Sequence, residues 1–150
     1  MPLLSSTGLC NKMLDTGSLK SIMANGFIHV YNSTLANIPA TADDAINPAV
    51  HTLLLTVYGD GISDGLNLGT AAGRAIGKAA GETWAGTVLA SGNAVFFRYV
   101  APGDTGAAST TEARQQGRVG VSGAELNISS LALVSGNTQA VNFASISLPG

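Results

Sequence analysis

The chain has 150 residues, a usual size for one domain, and carries a net charge of −2 with 11% charged and 45% hydrophobic residues. An average soluble protein is about 25% charged, so this surface is either built of Ser, Thr, Asn and Gly or partly covered by partners. The balance of charge excludes the basic field that holds nucleic acid. A lone cysteine, Cys10, excludes an internal disulfide, and it is expected as a small buried hydrophobe. A chain this long buries about 68–70% of its unfolded surface, so it needs no staple. No apolar run approaches the ~20 residues of a membrane helix, and Met1-Pro2-Leu3-Leu4-Ser5-Ser6 lacks a basic start before an apolar block. Neither a span nor a secretory leader is expected.

In chain order, residues 5–25 form the helical region. Ser5, Ser6 or Thr7 can cap a helix start. Leu9, Met13 and Leu14 fall at helical spacing, as do Leu19, Ile22 and Met23, with Thr16-Gly17 dividing two short helices. Asn25-Gly26 reads as the stop, with Gly26 in the left-handed position. Helices this short are marginal alone, so their apolar stripe must dock on the sheet or on a partner.

Phe27–Tyr31 reads as a strand, 34–48 as a long loop with Asp43-Asp44 solvated, and Val50–Tyr58 as a second apolar strand. Leu66–Gly81 is ambiguous. Its alanines favour helix, but Gly69, Gly73, Gly77 and Gly81 recur every four residues and weaken one; an extended segment with a loop is expected. Thr83–Leu89 is a strand holding the single Trp, Trp84, and Ala90–Asn93 reads as a hairpin turn into the next strand.

That next stretch, Ala94–Val100, organises the rest. In a strand Val95, Phe97 and Tyr99 share one face while Phe96, Arg98 and Val100 share the other. Large apolar groups on both faces suit a central strand, and Ala101-Pro102-Gly103-Asp104 ends it. A polar surface loop follows to Thr111. Further strands are expected over Ala113–Val121, Leu126–Leu133 and Ala140–Leu148, the last with a bulge near Ala144-Ser145. Strands at this spacing predict an all-β fold: an antiparallel β-sandwich or jelly roll with one or two short N-terminal helices. The division expected is an N-terminal helical segment or arm at 1–25 and a β-sandwich at 26–150.

No motif reads as an active site. Gly73-Arg74-Ala75-Ile76-Gly77-Lys78-Ala79 has three residues between its glycines where a phosphate loop needs four, and Ala79 has no hydroxyl for magnesium. Asp60–Gly65 starts like a calcium loop, but Ile62 and Ala71 occupy the third and twelfth positions. His29 and His51 lack zinc-ligand spacing and an evident acid partner. Glu82, Asp104, Glu112 and Glu125 could meet as paired carboxylates only through the fold; surface carboxylates are the simpler reading. Trp84 could stack on a sugar, though a lone Trp is more often core or interface. Arg98, inside the most apolar strand, must pair with an acid if buried, or else snorkel to a rim. An ion pair between subunits and a solvated sheet face are both open.

The order Leu19-Lys20-Ser21-Ile22-Met23-Ala24-Asn25-Gly26, then Gly81-Glu82-Thr83-Trp84-Ala85-Gly86-Thr87, Phe97-Arg98-Tyr99-Val100-Ala101-Pro102-Gly103-Asp104-Thr105-Gly106 and Gln116-Gly117-Arg118-Val119-Gly120 resembles small jelly-roll cement, or decoration, proteins of tailed-bacteriophage capsids. The resemblance implies a non-enzymatic virion protein without cofactor or metal, on the outer surface of the capsid, which binds the major capsid protein and stabilises the head. It implies a homo-oligomer, dimer or trimer, with no nucleic-acid or membrane partner. Contacts are expected from Met1–Asn25 and the loops 34–48 and 102–112. The candidate interface residues are Leu9, Met13, Leu19, Ile22, Met23, Trp84 and Arg98. The alternative is a carbohydrate- or receptor-binding module on head or tail, with Trp84 and loop carboxylates as its site; a small-molecule hydrolase is a third reading.

Overall fold

The structure, a computed structural model, describes residues 3–147, without the side chains of Phe143 and Ala144. The chain is an all-β fold of the sandwich class with two short N-terminal helices. The strands are β1 (Leu4–Ser5), β2 (Phe27–Asn32), β3 (Thr52–Val57), β4 (Ala75–Gly77), β5 (Ala85–Thr87), β6 (Gly92–Asn93), β7 (Phe96–Val100), β8 (Arg114–Gly120), β9 (Leu126–Ile128), β10 (Ala132–Leu133) and β11 (Thr138–Ser147); the helices are α1 (Thr7–Asp15) and α2 (Leu19–Ile22).

The main sheet runs β3-β2-β7-β8-β9-β11-β4, with β1 on β8 and β5 on β11. All its strand pairs are antiparallel except β8–β9. Bridges Tyr58–Ala85 and Leu55–Val88 join β5 back to β3, so the sheet nearly closes on itself. That closure needs Gly86: a Cβ there would run into the Thr56 carbonyl on β3.

As expected, β7 is central and wholly buried, between β2 and β8. Alternation along these strands makes two faces. Ile28, Val30, Phe97, Tyr99 and Val119 point into an apolar interior with Leu55, Val57, Leu66, Leu68, Trp84, Leu126 and Ile128. The residues between them, His29, Arg98, Arg114 and Gln116, point outward beneath the loops. The N-terminal segment is part of this body. Leu9 and Met23 are fully buried, β1 pairs with β8, and the Tyr99 hydroxyl donates to the Met23 carbonyl at 3.3 Å. Ser6 caps α1 and also accepts from the Arg114 N–H at 2.9 Å.

Several local expectations are corrected. Asn25, not Gly26, takes the left-handed conformation (φ 59°); Gly26 instead lies where a Cβ would meet the Val100 carbonyl. Residues 90–93 make no hairpin, because β6 pairs with the distant β10 while β5 and β7 lie apart in the sheet. Leu126–Leu133 is two strands, since its halves pair with different partners. The bulge of β11 falls between Val141 and Phe143, where pairing to β9 begins, not at Ala144-Ser145; Leu148 lies outside the described residues. Cys10 is exposed on α1, because the stripe through Leu9 faces inward and its neighbour cannot. Residues 68–78 fold back as a hairpin whose tip, Gly73-Arg74, has φ of 58° and 67°. Positive φ at both central residues is what a two-residue hairpin loop of this hand requires. Gly73 here serves the turn.

Candidate functional site

Three surface features stand where chemistry or contact can occur. The first is a groove of about 540 Å³ between the α1–α2 connection and the 69–76 hairpin. Met13, Leu19, Ile76 and Ile146 give it an apolar lining, with Lys20 and Arg74 also contributing to it. Leu14, one residue on from Met13, is 87% exposed. An apolar side chain that far into water has no role in the protomer's own core.

The second lies on the outer face of β2 and β7. Phe27, His29 and Tyr31 follow one another along that face at ring separations of 6.4–6.5 Å, and Tyr58 meets Phe27 edge-on at 5.7 Å. A cleft of about 160 Å³ opens beside them, lined by His29, Tyr31, Ile46, Arg98, Asp104 and Thr105 among others. Arg98 is 1% exposed. Its guanidinium donates to Gln116 Oε1 from Nη2 at 2.6 Å and Nε at 3.2 Å, to the Asp44 carbonyl at 2.7 Å and to the Thr41 carbonyl at 3.4 Å. None of these acceptors is a carboxylate. Beside it Arg114 makes a two-pronged pair with Asp104, at 2.5 and 2.8 Å, and also donates to the Ala107 and Ala42 carbonyls. This is the single ion pair among the described residues. Burial, and then the neighbouring Arg114 charge, bring the Arg98 pKa down to about 10. Burial lowers that of His29, against the pull of Asp104, and raises that of Tyr31.

The third is a polar pocket lined by Asn25, Phe27, Asp60, Asp64, Asn67 and Glu82 among others. Asp60 accepts from the N–H groups of Ile62, Ser63 and Asp64 through one oxygen. Those backbone bonds, that of Asp64 foremost, hold its carboxyl below the usual range. The loop that starts like a calcium site is a self-capped turn. No group of three or more metal-ligating side chains gathers among the described residues.

The residues singled out in the sequence separate clearly. Leu9, Met23, Trp84 and Arg98 are buried inside the protomer (3% exposed or less), whereas Met13, Leu19 and Ile22 reach the surface. Trp84 gives its indole N–H to Glu82 at 2.9 Å and cannot serve as an open stacking platform. Arg98 neither pairs with an acid nor snorkels. The carboxylates are partly spent as well: Glu82 on Asn67 and Trp84, Asp104 on Arg114, Glu125 on the Arg118 N–H. Asp43, expected to be solvated, caps α1 by accepting from the Thr7 N–H and hydroxyl. His29 binds Thr56 through Nδ1 at 3.0 Å; His51 accepts from the Asn47 N–H and reaches the Asn37 carbonyl at 2.7 Å. Sequence reasoning missed Arg114 and Gln116, and named Asp104 only as one of four carboxylates that could pair through the fold. The signal was present in the even positions Arg114, Gln116 and Arg118, which put long polar side chains on one face of β8, although Gln115 blurs the alternation. No protein-family profile, curated protein or solved structure matches the chain.

Proposed function

We propose that this chain is a non-enzymatic virion structural protein, a cement or decoration protein that seats on the major capsid protein at the outer surface of the head and stabilises it. The observation that carries the reading is the apolar groove lined by Met13, Leu19, Ile76 and Ile146, with Leu14 separately 87% exposed, on a chain with only 11% charged residues. Such a groove gains roughly 25 cal/mol for each Å² of apolar surface it covers. Repetition over a shell turns modest contacts into firm attachment through avidity. A clamp that touches two capsomers only in the expanded lattice stabilises that state by differential binding. Self-association as a dimer or trimer fits the same economy of charge.

Deleting Met1–Asn25 is a poor test, because it removes Leu9 and Met23 from the core. A point change at the exposed Leu14 is better. The Leu14→Asp protein is expected to keep its fold by circular dichroism and to lose at least roughly tenfold in co-sedimentation with capsids, the effect of about 1.4 kcal/mol per site. Retention of full binding both by that variant and by Met13→Asp, whose side chain lines the groove, overturns the groove as the contact. Many copies spread over the shell support a cement role, whereas a few copies at the tail favour the receptor module. That second reading has one observation behind it, the half-buried strip of Phe27, His29 and Tyr58; it has lost Trp84.

A further inference from the structure

The geometry points to a carboxylate-binding site in the cleft between β2, β7 and the loops 46–48 and 104–106, with Arg98 as its cation. Three observations carry it. Arg98 is buried, yet all its acceptors are neutral: one amide oxygen and two backbone carbonyls. The nearest buried carboxylate, Asp104, is already held by both prongs of Arg114 and also accepts from the Gly106 N–H at 2.7 Å. Arg98 is therefore left without a bonded carboxylate beneath the loops, with only the through-space fields of Asp104 and Asp44 on it. Finally, Arg98 lines an open cleft of about 160 Å³ together with His29, Tyr31 and Asp104, the last neutralised by its two bonds from Arg114, enough room for one small planar anion.

A buried charge without a counter-ion is costly, and an anion delivered from outside relieves that cost. One carboxylate balances the single guanidinium charge, while a phosphate dianion overshoots it. A guanidinium carries five N–H donors, and four contacts are made here, with Nη1 bonded to the Asp44 carbonyl alone. Asp44 lends its backbone and not its side chain: its carboxylate is exposed and accepts from the Thr41 N–H at 2.9 Å. It moderates the guanidinium charge without filling the cleft. The inference stands whether or not the groove binds a capsid, because the two lie on different parts of the fold.

The full chain, ¹⁵N-labelled at arginine and histidine, is titrated with acetate, with acetamide as the neutral isostere. Acetate is expected to shift the Arg98 Nε–H and His29 ring resonances in a saturable way, with a dissociation constant of roughly 1–10 mM; acetamide is expected to leave them still. Ile46→Trp, which fills the cleft and leaves the guanidinium in place, should abolish the response while the protein stays folded. Asp44→Asn should tighten acetate binding, since it removes a nearby negative charge. A capped glutamate that shifts the same resonances identifies the occupant as a partner's acidic side chain; a response to acetate alone identifies a free small carboxylate. The site is overturned if acetate and capped glutamate both leave the resonances unmoved, if acetamide acts as acetate does, if Ile46→Trp responds unchanged, or if phosphate binds and acetate does not.

Discussion

The two faces of the sheet at β7 and the start of β8 are both buried, yet they are built on opposite principles. Inward, Ile28, Val30, Phe97, Tyr99 and Val119 meet other apolar groups. Such contacts are non-directional and scale with area. Outward, Arg98, Arg114 and Gln116 hold the loops by directed bonds: Gln116 Nε2 to the Pro39 carbonyl at 2.7 Å, Arg98 to Thr41 and Asp44, and Arg114 to Ala42 and Ala107. The loops are then stitched to each other, Ile46 N–H to the Gly106 carbonyl and Ser109 N–H to the Asp43 carbonyl. The inner face supplies stability. The outer one supplies position, because a loop without a strand partner must send its backbone carbonyls to side-chain donors.

The comparison breaks first at the ion pair. Arg114→Met strands a buried Asp104 charge and is expected to cost about 3–5 kcal/mol, as much as or more than Leu55→Ala on the inner face at about 2–5 kcal/mol. Urea unfolding measures both. Adding Asp104→Leu to Arg114→Met should recover part of the loss, since it removes the unpaired charge; no recovery would show that the arginine acts mainly through the Ala42 and Ala107 carbonyls.

Arg98→Met is expected to be milder, about 1–3 kcal/mol, because it leaves neutral acceptors unpaired and no charge. Its mark is local. Amide exchange should quicken over 39–46, whereas Leu55→Ala should lower protection throughout the sheet; equal patterns would erase the distinction between the faces.

The smallest effect is one of pH. Burial depresses the His29 pKa in the fold below the ordinary 6.5, so below that pH the unfolded chain takes up a proton that the folded chain resists. Stability therefore falls as pH drops from about 6.5 toward the folded value, and it is intact above 6.5. His29→Gln should flatten the decline by a fraction of a kcal/mol, read from urea midpoints at pH 7 and pH 5.

Much of this was legible in the chain. Alternation of Val, Phe and Tyr around Phe97 marked the central strand, and Ser6, Thr16-Gly17 and Asn25 marked the helices, because those signals act over a few neighbouring residues. The 69–81 glycines were half legible. Their spacing argued against a helix, but only the bridge between Ala72 and Ala75 shows that they turn a hairpin at Gly73-Arg74. The site was less legible. Trp84 and Arg98 attract notice by residue type, yet their burial depends on what the fold brings over them, the apolar interior for Trp84 and the 41–44 loop for Arg98.

By itself, then, the sequence determined the β class, the central strand, the helical start and the scarcity of charge, all properties of local pattern and composition. Only the tertiary structure decided that β5 closes the sheet onto β3, that Asp104 pairs with Arg114 and not with Arg98, and that Leu14 is left in water while Leu9 is not. Those outcomes depend on residues distant in the chain meeting in space, and pairing of that kind leaves no trace in the order of residues along one strand.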